Sequence, residues 1–230
     1  MSEHEVMELD AVDETAAEVF DGYIVRKDLV RRFQNQFPVP TYVVEFLLGR
    51  YCASVDEEEI REGLEIVQRQ LSERTVTPGE EELFKSKARE EGSVQLIDLI
   101  RARLDPQEDA YVAELPSLQL RRARVKSDTV QEHERMLTGG FYAEVELEYD
   151  PVIAEELGGN PFGVRHLREI QMSTSSVLDT LAEGRAAYST EEWKSFLLRS
   201  IGIEPAALGQ RERDLYFLRM VPFVERNYNA

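Results

Sequence analysis

The sequence predicts an α+β protein with a helical N-terminal part, a small and mostly antiparallel β-barrel in the middle, and a helical C-terminal part. Changes in the spacing of apolar residues lead to this prediction. The period is about 3.6 residues before Gly92, falls to about 2 in the next 80 or so residues, and then returns to the helical value. We therefore expect three units, at residues 1–92, 93–172 and 173–230.

Five helices are expected in the first unit, and local signals set their ends. Ser54 and Glu57 have the spacing of a capping box for the longest helix. Pro40 suits a first helical turn, Thr77-Pro78 starts the fifth helix, and Gly92 ends it. The predicted helices are Asp10–Phe20, Arg26–Gln34, Thr41–Tyr51, Asp56–Leu71 and a segment between Thr77 and Gly92.

Five strands are expected in the second unit, and the clearest is Phe141–Tyr149, whose glutamates all point to one face. Ser127 is expected to cap a helix that runs to Leu137 between two strands. Five short strands with one inserted helix fit an OB-type barrel, which often binds nucleic-acid strands across one face. The other predicted strands are Ser93–Leu104, Ala110–Leu115, Leu118–Val125 and Gly163–Gln171.

Three helices are expected in the third unit. Ser176–Glu183 is short, and the next helix starts at a capping box formed by Ser189 and Glu192 and stops at Gly202. Trp193 and Phe196 have helical spacing there and are interpreted as core residues rather than as a ligand cage. Arg211–Tyr228 is the last helix, and Pro222 must kink or shorten it.

Composition indicates a cytoplasmic protein. The first 21 residues hold eight acids and no Lys or Arg, which is typical of neither a secretory signal nor a mitochondrial presequence. No apolar run reaches the roughly 18 residues that a membrane span needs. Cys52 is the single cysteine, so no intrachain disulfide can form, and its apolar helix indicates a buried and unreactive thiol.

The motifs of common enzymes are missing, so we expect no catalytic site, no metal and no cofactor. There is no P-loop, no Gly-x-Ser-x-Gly elbow and no His-Glu-x-x-His motif. One cysteine and three scattered histidines, His4, His133 and His166, do not form a typical zinc site. The acidic runs at residues 57–59 and 80–82 fall in first helical turns, where they favour the helix dipole.

Candidate nucleic-acid-binding residues come from the sheet region. The net charge of −18 argues against indiscriminate binding to phosphates, so a binding surface has to be local. Residues 93–126 carry six basic and five acidic residues, a net charge of +1. If the strands are neighbours, these cations can converge on a groove that follows a phosphate backbone. The candidates are Arg101, Arg103, Arg121, Arg122, Arg124, Lys126, Arg165 and Arg168.

Two features of this region have an alternative interpretation. Each arginine can instead pair with an acid nearby in the sequence: Asp98, Glu108, Asp109 or Glu114. Tyr111, Tyr142 and Phe162 can stack on bases, although aromatic residues in strands more often belong to the core. His133, on the inserted helix, is expected to be solvated.

Several long segments together resemble one known family. They are Val39–Ala53, the acidic helix ending in Glu62-Gly63-Leu64, Asn160-Pro161-Phe162 with Ile170-Gln171-Met172, Glu192-Trp193 with Leu197–Gly202, and Leu218–Asn229. These segments resemble the N-terminal region of the BrxL family, the Lon-like AAA+ ATPases of the BREX phage-defence system. The likeness extends over the chain from about Val25 onward.

The resemblance implies functions that the residue patterns do not. Family members assemble as rings on DNA, and their N-terminal region contributes to DNA engagement and ring pairing. The resemblance also implies that an ATPase loop and a Lon-like region follow Asn227-Tyr228-Asn229, so we expect no ATP hydrolysis from these 230 residues. No DNA-contact motif of the family transfers to individual residues here.

Two functions remain open at this point. The first is a non-catalytic region that binds DNA without sequence preference and self-associates into a ring in the full-length protein. The second is a protein-interaction module that recruits other BREX proteins or regulates the ATPase without touching DNA, which the net charge of −18 favours.

Overall fold

The computed structural model describes residues 9–20, 24–54, 56–156, 160–170 and 177–225, and it confirms the α+β class. The helices in these ranges are α1 (Ala11–Val19), α2 (Lys27–Phe33), α3 (Thr41–Tyr51), α4 (Glu57–Arg74), α5 (Glu81–Glu91), α6 (Ser127–Glu132), α7 (Pro151–Glu156), α8 (Val177–Arg185), α9 (Thr190–Ser200) and α10 (Gln210–Val224). The strands are β1 (Ser93–Asp105), β2 (Ala110–Leu115), β3 (Leu120–Arg124), β4 (Phe141–Tyr149) and β5 (Phe162–Glu169). None of these described helices is long and apolar enough to cross a membrane.

The five strands form one mixed sheet in the order β1-β2-β3-β5-β4, and β4 pairs in turn with β1. The length of β1 permits this closure, because residues 93–100 pair with β4 and residues 101–105 pair with β2. The pairing of β3 with β5 is parallel, and the other four pairings are antiparallel. Leu96, Ile100, Val145 and Leu147 point into the core that the sheet encloses.

Two parts of the sheet region differ from the prediction. Strand β3 starts at Leu120 rather than Leu118, because residues 116–118 form a 3₁₀ turn and Gln119 adopts a left-handed φ of 53°. The predicted helix between Ser127 and Leu137 is divided at His133 into α6 and a 3₁₀ turn at residues 134–137. Strand β4 has the predicted bounds.

A second core lies between α2, α3, α4 and the outer face of the sheet. Leu47, Ile60 and Leu71 are fully buried in it. Ile97 of β1 belongs to the same cluster, and Tyr142 of β4 packs against it. These helices therefore cover the β1–β4 side of the sheet.

The start of α4 is capped by Asp56, so the predicted capping box of Ser54 and Glu57 is wrong. The Asp56 carboxylate accepts hydrogen bonds from the backbone N–H groups of Glu58 and Glu59, at 2.9 and 3.0 Å. The Ser54 hydroxyl instead accepts from the backbone N–H of Asp56 at 3.0 Å. An ionised cap is favoured here because it also interacts with the positive end of the helix dipole.

Other helix ends agree with local signals to different degrees. The capping box of Ser189 and Glu192 is present at α9. Gly92 ends α5 in a left-handed conformation, but α5 begins at Glu81, later than Thr77-Pro78 suggested. Helix α10 begins at Gln210 and contains Pro222, and the predicted end at Tyr228 lies outside the described residues.

Helix α7 follows β4 at a point where no helix was predicted. Asp150 accepts a hydrogen bond from the backbone N–H of Val152 at 2.8 Å, and Pro151 suits the first helical turn. The side chain of Ile153 packs on Val112 of β2, so α7 covers part of the outer face of that strand. The predicted boundary at residues 172 and 173 lies outside the described residues.

Helix α1 packs against the C-terminal helices through an aromatic cluster. Phe20, which directly follows α1, is 2% exposed and belongs to a buried group with Ala16 and Tyr188. Its ring centroid lies 6.5 Å from Tyr188, 6.4 Å from Trp193 and 5.2 Å from Phe196. The interpretation of Trp193 and Phe196 as core residues is therefore confirmed.

An ion-pair group reinforces the same contact. The two terminal nitrogens of Arg199 each lie 2.7 Å from the Asp10 carboxylate, and Nη1 lies 3.1 Å from Asp13. The hydrogen bond from Arg199 lowers the pKa of Asp10 and raises the pKa of Arg199. Burial raises the pKa of Asp13, although Arg199 opposes that shift. Residues near both ends of the described chain are thus joined.

Cys52 lies against α4 and is 2% exposed. Burial raises the pKa of its thiol from 9.0 to about 11. Since the thiolate is the reactive form, we expect iodoacetamide to alkylate the folded protein at about pH 8 at least ~100-fold more slowly than the chain unfolded in urea. Mass spectrometry of timed samples measures both rates. Similar rates in the two states would contradict the buried position of Cys52.

Candidate nucleic-acid interface

The pairing of β1, β2 and β3 brings predicted cations into register on one side of the sheet. Arg103 of β1 is opposite Val112 of β2, and Val112 is opposite Arg124 of β3. Residues directly opposite each other share a face of the sheet, and neighbouring strands lie about 4.8 Å apart. Arg103 and Arg124 therefore flank Val112 on the outer face, and Arg101 shares the face of Arg103 because it is two residues away.

The six cations on β1, on β3 and just after β3 are called the β1–β3 cation set below: Arg101, Arg103, Arg121, Arg122, Arg124 and Lys126. Their charges are partly neutralised, and Arg124 also has an interaction partner. Arg103 Nε lies 3.8 Å from Glu114, and Arg122 Nη2 lies 3.0 Å from Asp105. Within the described part of the chain, Arg121 and Lys126 are exposed and have no carboxylate partner.

Arg101 is held in place by the turn before β4. Its Nε donates a hydrogen bond to the carbonyl oxygen of Gly139 at 3.0 Å. Gly140 has a φ of 78°, and a Cβ there would lie 2.6 Å from Arg101 Cγ and 2.3 Å from the carbonyl oxygen of Ile100. Glycine is therefore required at position 140, since it lets the turn approach β1 closely enough to orient Arg101.

Arg165 and Arg168 of β5 do not join the β1–β3 cation set but lie along the glutamates of β4. Arg165 donates to Glu148 at 2.9 Å and to Glu146 at 3.1 Å, and these bonds raise its pKa. Arg168 lies 3.8 Å from Glu144. Arg165 is therefore largely neutralised, whereas Arg168 is only loosely paired. Because both lie among the β4 glutamates, their contribution to an anion-binding surface is small.

Glu144 is the centre of an ion-pair group that the sequence prediction missed. Arg50 of α3 and Arg74 of α4 reach it at 3.4 and 3.3 Å, in addition to Arg168. The alternation of residues in β4 predicts that the side chain of Glu144 points outward. No local signal in the sequence indicates that α3 and α4 pack next to Glu144. Of the four acids suggested as partners for the arginines, Glu114 forms an ion pair with Arg103.

The aromatic residues proposed for stacking lie in the cores. Tyr111 and Phe162 pack against the core inside the sheet, and Tyr142 packs against the α2–α4 core. His133 is not simply solvated, because Nδ1 lies 3.6 Å from Glu169 and the ring lies 5.6 Å from that of Phe141. Base stacking by these residues would require them to leave their present contacts.

Two cavities lie on the sheet. The larger has a volume of about 410 Å³ and is lined by Arg101, Ala102, Arg103, Glu114 and residues 136–139. The smaller, of about 190 Å³, lies among the neutralised charges of β4 and β5. Within the described residues, no three His, Cys, Asp or Glu side chains are grouped as a metal site would require. The arginines of the β1–β2–β3 side are groups that can bind anions.

Comparison with known proteins gives two family matches. A model described as the N-terminal region of the BREX system Lon protease-like protein BrxL matches residues 18–149, more than half of the chain. A model described as the ATPase domain of Lon-like protease BrxL-like proteins matches residues 162–230. The predicted third unit, residues 173–230, thus lies within the segment matched by a model of the ATPase domain.

Two curated relatives carry the same description. The Lon-like protease BrxL of Escherichia coli O9:H4 (strain HS) is 38% identical over 211 residues, which is 92% of this chain and 30% of that protein. The Lon-like protease BrxL of Bacillus cereus (strain H3081.97) is 39% identical over 210 residues, which is 91% of this chain and 31% of that protein. The chain spans about a third of the length of these relatives.

Proposed function

Because the chain belongs to the BrxL family, we propose that it is a DNA-binding and oligomer-assembly region of a Lon-like protein that acts in BREX phage defence. The observation that carries the DNA-binding part is the register of the sheet, in which Arg103 and Arg124 flank Val112 on one outer face. Arginine side chains on such a face can follow a phosphate backbone without reading its sequence.

We further propose that the sheet is an OB-type barrel. The support is the closed strand order β1-β2-β3-β5-β4, the parallel β3–β5 pair, and α6 inserted between β3 and β4. In OB-type barrels the face of strands 2 and 3 binds oligonucleotides. Arg122 and Arg124 lie on β3 of that face.

The acidic surface elsewhere supports a localised contact. The chain has 45 acidic and 27 basic side chains, so most of its surface repels DNA. The β4 glutamates already hold Arg165 and Arg168. DNA is therefore expected to be confined to the β1–β3 cation set, with modest affinity for a single chain that ring assembly would multiply.

The DNA-binding proposal is tested by the salt dependence of fluorescence anisotropy with labelled DNA duplex. Each phosphate neutralised contributes about 0.9 to the slope of log affinity against log salt concentration. We expect the double variant Arg103→Gln/Arg124→Gln to bind more weakly and to lower that slope by about 2. The full chain is used, and circular dichroism confirms that the variant is folded.

The matched control is Arg61→Gln/Arg69→Gln, which removes the same charge from exposed positions on α4. We expect it to retain the wild-type slope. Equal slopes for the two double variants would contradict a contact through Arg103 and Arg124. A wild-type chain that is folded but does not bind DNA at low salt would instead favour a protein-interaction module.

The assembly part of the proposal rests on α10. In the described residues this helix has no buried side chain, and Leu215, Leu218 and Phe223 are exposed, Phe223 to 90%. Exposed apolar faces of this kind mark interaction sites. We expect sedimentation velocity to detect self-association that Leu215→Ser/Leu218→Ser weakens. Identical sedimentation of variant and wild type would rule out α10 as the contact.

A further inference from the structure

We propose that the 410 Å³ cavity beside β1 binds one unpaired nucleotide of a single DNA strand. This inference rests on the proposed DNA-binding function and specifies the form of DNA that the site prefers. The cavity is within the size range of small-molecule sites, and it combines cationic and apolar walls with one carboxylate, that of Glu114. A nucleotide has the matching parts, because its phosphate is anionic and its base is a flat and largely apolar ring.

The first wall is formed by the guanidinium of Arg101. Its Nε is fixed by the carbonyl oxygen of Gly139 at 3.0 Å, and the close turn at Gly140 limits the side chain further. Its two terminal nitrogens form no hydrogen bond or ion pair with any described residue. A fixed guanidinium plane can stack on an unpaired base, and its remaining N–H groups can bind a phosphate.

The second wall is apolar and comes from the 3₁₀ turn before β4. Leu137 is 46% exposed in this wall, whereas its neighbour Met136 is buried. The hydroxyl of Thr138 donates to the carbonyl oxygen of Arg135 at 3.3 Å and keeps acceptor capacity for an N–H group of a base. An exposed leucine between a fixed arginine and a hydroxyl suits a base better than an isolated anion.

The phosphates on either side of that nucleotide have partners outside the cavity. Arg103 lines the opening and is only loosely paired with Glu114 at 3.8 Å. Arg124 lies two strands away, on β3, and is aligned with Arg103 through Val112 of β2. Cations thus lie on β1 and on β3, on either side of the Val112–Ile153 contact, and this spread of charge favours a strand over a free nucleotide. A base that is paired in a duplex cannot enter the cavity, because pairing and stacking hold the base inside the duplex.

The test compares three labelled ligands of about 12 nucleotides by fluorescence anisotropy of the full chain: single-stranded oligo-dT, an abasic strand with the same phosphates, and a duplex. We expect the chain to bind oligo-dT about tenfold more tightly than the abasic strand. We also expect oligo-dT to bind more tightly than the duplex. Thymidine monophosphate, added as a competitor, should displace oligo-dT only weakly.

A pair of leucine variants locates the contact. Leu137→Ala is expected to reduce the affinity for oligo-dT about fivefold and to bring it towards that of the abasic strand. The matched control is Leu83→Ala, which truncates an exposed leucine on α5 and should leave the affinity unchanged. Both leucines are exposed, so neither variant is expected to unfold the protein.

The outcomes separate this inference from the proposed function. Equal affinities for oligo-dT and the abasic strand, with salt-dependent binding to both, would overturn the nucleotide site and leave DNA binding intact. Strong displacement by thymidine monophosphate would overturn the choice of a strand as the ligand. An absence of binding to all three ligands by folded protein would overturn both proposals.

Discussion

Gly63→Ala is expected to lower the free energy of unfolding by about 2–3 kcal/mol. A Cβ at position 63 would lie 2.0 Å from the carbonyl oxygen of Tyr51 and 2.8 Å from Cys52 Sγ. The carbonyl belongs to the end of α3 and cannot rotate away as a side chain can, so α3 and α4 must separate. The better helix propensity of alanine offsets only about 1 kcal/mol of this cost.

Urea denaturation followed by circular dichroism measures this effect. Gly139→Ala is the matched control, because a Cβ there has no atom within 4 Å. Its free energy of unfolding should stay within about 0.5 kcal/mol of the wild type. Alkylation of Cys52 provides a second reading, since separation of α3 from α4 exposes the thiol. A Gly63→Ala protein as stable as the control would show that the two helices are not so close.

Phe20→Ala is expected to weaken the packing of α1 on the C-terminal helices by about 3–4 kcal/mol of free energy. The ring of Phe20 packs on Phe196 and is also in contact with Gly184 of α8, where a Cβ would lie 2.3 Å from it. Its removal leaves a cavity between α1 and the C-terminal helices, and the short helix α1 is marginal without packing.

Trp193 makes this contact measurable, because it is the only tryptophan in the chain and lies in the same cluster. We expect the emission maximum of Phe20→Ala to lie at longer wavelength than that of the wild type, because water reaches the indole. We also expect the midpoint of its urea unfolding curve to be lower. Phe223→Ala serves as the control, since Phe223 is almost fully exposed on α10. Unchanged fluorescence in Phe20→Ala would contradict the docking of α1 on α9.

Local patterns predicted the elements whose signals lie within a few residues. The alternation in β4 gave its bounds, and Gly92 marked the end of α5, because both depend on short-range geometry. Helix α7 was missed because Asp150-Pro151 suits a turn and a first helical turn equally well. The cap at Asp56 was missed because Ser54 and Asp56 are both common capping residues and lie only two positions apart.

The candidate site was predictable only as a set of residue types. The arginines of β1 and β3 are visible in the sequence, but their register across β2 depends on strand pairing over long separations. Nothing local indicates that Arg165 pairs with Glu146 and Glu148 while Arg101 binds a backbone carbonyl. Partners far apart in the sequence therefore decide which cations can bind an anion.

The docking of α1 also determines the order in which the fold can form. Tyr188 donates to the carbonyl oxygen of Val12 across 176 positions, and Arg199 reaches Asp10 across 189. On the ribosome, the α2–α4 core and the core inside the sheet have all their members once residue 170 has emerged. Helix α1 meets its first partner in α8 and its last, Arg199, near the end of α9. Although α1 is synthesised before the other described helices, it cannot reach its native position until α9 has emerged.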